Sequence, residues 1–66
     1  MELSNLQKQL IARYKSGTFN HFGATPEEQV AFMEIIDAAE ALLEELDAYD
    51  EFGDDLILWF CNKKGI

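Results

Sequence analysis

Residues 25–49 read TPEEQVAFMEIIDAAEALLEELDAY and carry the longest unbroken structural signal in the chain. Thr25-Pro26-Glu27-Glu28 joins an N-cap hydroxyl, a proline at the first helical position and a glutamate three residues past the cap, which together start a helix. Behind them Phe32, Ile35, Ala39, Leu42, Leu46 and Tyr49 recur at spacings of three and four, flanked by Ile36 and Leu43, with no proline or glycine before Gly53. The pattern predicts an amphipathic helix over about 26–49, roughly 35 Å long at about 1.5 Å per residue.

Upstream, Leu3, Leu6, Leu10 and Tyr14 form a second helical stripe with Ile11 at its edge. Ser4 and Gln7 have the spacing of a capping box, and Gly17 supplies a left-handed residue past the end, so a helix is expected over about 4–16. On this reading Gln7, Lys8, Gln9, Arg13 and Lys15 lie mostly off the stripe. Thr18 to Ala24 reads as a loop, with Phe19 and Phe22 expected to plug it onto the core.

Downstream, Leu56 to Cys61 is apolar at six consecutive positions, which suits a buried strand or a helix equally. A lone strand would have no partner here. Asp54 and Asp55 before the run, and Lys63, Lys64 and Gly65 after it, match the charge pattern of a helix over about 54–63. The expected fold is therefore all-α: one small domain over 1–66, built as an antiparallel helical hairpin (about 4–16 and 26–49) with a short apolar C-terminal helix.

Composition narrows the function. The chain has 66 residues, 48% of them hydrophobic, which suits a folded domain near the lower size limit for one core. Thirteen acids against five bases give a net charge of -8, which argues against direct nucleic-acid binding. The charge is segregated: residues 1–26 carry +2, twelve acids and no base run from Glu27 to Asp55, and the remainder carries +2. A single cysteine excludes an internal disulfide framework, no apolar run is long enough to span a membrane, and the start lacks the basic and apolar regions of a secretory signal. A cytoplasmic protein is expected.

No catalytic constellation is complete, so neither an enzyme nor a cofactor is expected. His21 stands without a second histidine, and His21 with Cys61 makes at most half of a tetrahedral zinc site. Cys61 lies in an apolar run, where a thiol is inert. Asp47, Asp50, Glu51, Asp54 and Asp55 surround Gly53, but counting back from that glycine puts Ala48 and Phe52 where a calcium loop needs oxygen ligands.

The most distinctive feature is the acidic face of the long helix, where Glu34, Asp37, Glu40, Glu44 and Asp47 step by three or four with no base to pair at i+4, and Val30 and Met33 point the same way. The expected function is a non-enzymatic protein–protein interaction module that meets a basic partner through Glu34, Asp37, Glu40, Glu44, Asp47 and Met33. Apolar residues all round the C-terminal helix exceed what a two-helix surface can cover, which suggests a homodimer through Leu56, Leu58, Trp59 and Phe60. The alternative is an acidic nucleic-acid mimic that inhibits a DNA- or RNA-binding enzyme, of the kind phages and mobile elements use.

Overall fold

The computed structural model describes residues 2–66. Three α-helices follow one another, α1 (Asn5–Lys15), α2 (Pro26–Leu46) and α3 (Leu56–Lys64), with a short 3-10 turn at His21–Gly23 and no strand among the described residues. The fold is all-α, as the residue patterns predict, and the ambiguous run at 56–61 is helix.

Each helix starts on a side chain chosen for the task. Ser4 Oγ accepts from the Gln7 amide at 3.1 Å while Gln7 Oε1 accepts from the Ser4 amide at 3.0 Å, a complete capping box. Thr25 and Glu28 repeat the same exchange at 3.1 and 2.9 Å. Asp55, rather than Asp54, caps α3 by accepting from the Leu58 amide at 3.1 Å.

All three helices end in one and the same way. The amide two residues past the last turn reaches back to a carbonyl five residues earlier, and the amide before it reaches back three: Thr18 to Arg13 and Gly17 to Tyr14, Ala48 to Leu43 and Asp47 to Glu44, Ile66 to Cys61 and Gly65 to Asn62. This closure requires a left-handed residue between helix and exit. Gly17 (φ 77°) and Gly65 (φ 73°) supply it without strain, but α2 uses Asp47 at φ 50°.

That closure corrects the expected end of α2. The helix stops at Leu46 instead of continuing to about residue 49, and the stripe read through Leu46 and Tyr49 does not hold, since both are exposed. Ala48 is buried in their place, next in sequence to the left-handed turn and bonded to the carbonyl of buried Leu43.

The chain divides into two compact units, the first ending at Glu34 and the second running Ile35–Ile66, so the division falls inside α2. In the first, α1 and the start of α2 form an antiparallel hairpin: Gln7 meets Ala31 and Glu34, while Arg13, further along α1, meets Glu28, earlier in α2, and Tyr14 lies against Phe32. Leu10, Ile11, Ala31 and Phe32 are its buried apolar residues. Phe32 gathers Tyr14 (5.7 Å between centroids), Phe19 (stacked at 4.5 Å) and His21 (6.5 Å), so the loop is held by rings.

In the second unit Ile35, Ala39, Leu43, Ala48, Ile57, Trp59, Phe60 and Cys61 are buried. Glu51 forms an ion pair with Lys63, which ties the turn after α2 to the last turn of α3. The Trp59 indole N–H is buried with no hydrogen-bond partner, a cost set against the large apolar area of the ring.

The strained residue gives a direct test. Asp47→Gly should stabilise the protein by about 0.5–1 kcal/mol, raising the thermal midpoint by a few degrees, because glycine takes the left-handed region without the Cβ conflict. Asp47→Val should lower it. Melts followed by circular dichroism check both, and an unchanged or lower midpoint for the glycine variant would contradict the assigned closure.

Candidate docking surface

The acidic face predicted on the long helix is where the structure leaves α2 uncovered. Val30, Met33, Glu34, Asp37, Glu40, Ala41, Glu44 and Glu45 are all exposed, while Ala31, Phe32, Ile35, Ala39 and Leu43 on the opposite side are buried. Asp47 is exposed too, but it stands just past the helix end, with its backbone committed to the closing turn.

Glu34 differs from its neighbours on this face because its carboxylate accepts from Gln7 Nε2 at 3.4 Å. The same nitrogen donates to the Ala31 carbonyl at 3.3 Å. Gln7 is only 5% exposed and lies inside α1's apolar column, whereas the stripe of Leu3, Leu6, Leu10 and Tyr14 puts it to one side. The signal was present: Leu3, Gln7, Leu10 and Tyr14 have helical spacings of four, three and four. One carboxamide thus caps α1 with its oxygen and fastens α1 to α2 with its nitrogen.

The basic residues nearby do not neutralise the face. Arg13 pairs at 2.7 Å with Glu28, which lies off the face, and its guanidinium stands 5.7 Å from the centroid of the Phe19 ring. Among the described residues no ion pair reaches Asp37, Glu40, Glu44 or Glu45. Carboxylates at i+3 and i+4 without a cation each oppose the helix by about 0.2–0.5 kcal/mol, so the face is maintained against its own repulsion.

The C-terminal helix covers itself better than its composition suggests. Of the residues expected to mediate self-association, Trp59 (7% exposed) and Phe60 (0%) are buried, Leu56 is half-buried, and Leu58 alone is exposed, at 44%. In the chain between α2 and α3, Ala48 is buried as well and Phe52 half-buried.

The remaining candidates separate. Phe19 plugs the loop as expected, but Phe22 does not: it is 96% exposed, on a turn held by Asn20 Oδ1 accepting from the Phe22 amide at 3.0 Å and by Gln29 Nε2 donating to the His21 and Ala24 carbonyls. His21 is exposed, its ring against Phe19, Phe22 and Phe32. Cys61 is buried. Among the described residues no group of three or more histidines, cysteines and acids could hold a metal ion, and no helix is long and apolar enough to cross a membrane. No family model matches the chain, and comparison with curated proteins and with solved structures gives no match.

Glu28, held by the Thr25 amide and by Arg13, gives the hairpin an expected pH dependence. The Thr25 amide and the Arg13 guanidinium hold the Glu28 carboxyl below its ordinary value of 4.5. A lowered folded-state pKa contributes stability that is present above the unfolded value and is lost as pH falls through the folded one. Glu28→Gln should therefore be less stable than the parent at pH 7, and the gap between their melting temperatures should close as pH falls from about 5 towards 3. A gap that stays constant over that range would show that Glu28 does not act through its charge.

Proposed function

We propose that the protein is a non-enzymatic interaction module that docks a basic partner protein on the exposed face of α2. The observation that carries this reading is the set Asp37, Glu40, Glu44 and Glu45, exposed on one helix and without a cation, although the chain has five to distribute. A surface selected only for solubility has no need to sustain that repulsion, since mixed signs keep a small domain soluble. Binding a cationic surface turns the repulsion into attraction and speeds encounter.

Met33, half exposed beside Asp37, adds a flexible apolar contact, and Glu34 contributes charge from a position fixed by Gln7. Of the apolar set on α3, Leu58 is the residue that offers surface for self-association, so a homodimer, if formed, uses it in preference to Trp59 or Phe60. The proposal includes a cytoplasmic setting, in keeping with a chain whose single cysteine, Cys61, is buried and forms no internal disulfide.

The test reverses two charges that nothing else uses. Glu40→Lys with Glu44→Lys should leave helix content by circular dichroism unchanged, because both side chains are exposed. Affinity capture with the parent chain should retain a basic protein that is released as salt rises, and the double variant should fail to retain it. A partner held equally by the variant, or equally at high salt, would contradict the reading.

A further inference from the structure

The hairpin carries a feature that the acidic face alone does not explain. Ser4, Leu6, Pro26, Glu27, Val30, Ala31 and Glu34 line an open groove of about 580 Å³ along α1 and the first half of α2. Its floor is apolar, from Leu6, Pro26, Val30 and Ala31, and its charged lining residues are Glu27 and Glu34, with no lysine or arginine. These two glutamates are seven residues apart on α2, which is two turns or about 10.5 Å, with Val30 and Ala31 between them.

Val30 points to use of this groove. It is 61% exposed, and a β-branched residue on an open helix face lowers helix stability relative to alanine by a few tenths of a kcal/mol without burying its methyl groups. Its cost is recovered when something covers it. The two helices that line the groove are also fastened to each other, because Gln7 Nε2 donates to both the Ala31 carbonyl and the Glu34 carboxylate.

We infer that this groove receives one amphipathic helix of the partner, an apolar side chain of which covers Val30 and Leu6 while two lysines or arginines seven residues apart pair with Glu27 and Glu34. Two cations at that spacing lie on one face of a helix, as do the two glutamates, and an apolar residue three or four positions along falls between them. The inference rests on the basic partner proposed above and adds where, and by which pattern, that partner is anchored. Charge attracts it, and the apolar contact discriminates among cationic helices, since burying a leucine-sized side chain is worth about tenfold or more in affinity.

The experiment uses the full chain and three synthetic helical peptides on an alanine–glutamine scaffold. One has lysines at i and i+7 with leucine between them, one has glutamine in place of that leucine, and one has glutamates in place of the lysines. Titrations followed by amide chemical shifts should show the first peptide moving Leu6, Val30 and Ala31, the second weaker by about tenfold and the third not binding. Val30→Glu, at an exposed site, should abolish the first peptide's preference over the second, while Glu40→Lys with Glu44→Lys should retain it.

Equal affinity for the leucine and glutamine peptides, or shifts confined to residues 37–45, would overturn the groove while leaving a basic partner in place. Failure of both lysine peptides to bind would overturn both readings. A dimer in sedimentation that Val30→Glu converts to monomer would assign the groove to a second copy of the chain, and so overturn the inference.

Discussion

Gln7 sits inside the apolar column of α1 at 5% exposure, and a carboxamide in that position costs about 1–3 kcal/mol for each polar group it leaves unbonded. Here the Ser4 amide donates to its oxygen, and its nitrogen donates to the Ala31 carbonyl and the Glu34 carboxylate. These bonds can be made at one alignment of α1 against α2 only. A slip by one turn would leave the amide buried and unsatisfied, so a single polar side chain fixes the register that general apolar packing leaves loose. The same alignment brings Leu6 beside Val30 and Ala31, which makes the groove, and holds Glu34 at its rim.

The helix ends obey a second constraint. Each closing turn needs a left-handed residue, and the chain places glycine after α1 and α3 but aspartate after α2. The use of Asp47 keeps a carboxylate at the foot of the acidic face, at the expense of a backbone conformation that glycine would take more readily. The turn also determines which residues become core, since it directs Ala48 inward and leaves Tyr49 exposed.

The legible parts of the fold were those written in local chemistry. Ser4 and Thr25 as caps, the acidic pair Asp54 and Asp55 before α3, Gly17 and Gly65 as exits, and the three-and-four spacing of Phe32, Ile35, Ala39 and Leu42 place all three helices to within a few residues, although the cap of α3 is Asp55 and not Asp54. The acidic side of α2 was legible for the same reason, because its exposure follows from the burial of the opposite side. What escaped was either non-local or atypical. Leu46 and Tyr49 continue the apolar period, and nothing in residue type announces that Asp47 turns left-handed between them. Gln7 was read as a cap residue because its partners lie 24 and 27 positions away. Phe22 has the composition of a loop plug, but the turn around it, set by Asn20 and Gln29, sends it outward.

Side-chain amide exchange reads the Gln7 fastening directly. In nitrogen-15 spectra the Gln7 Nε2 protons should exchange with water about tenfold or more slowly than those of Gln9, which is exposed on the same helix, because exchange at Gln7 requires the hairpin to open. Exchange at the rate of Gln9 would mean that the Gln7 amide is solvated, and that the register of the hairpin is set by something else.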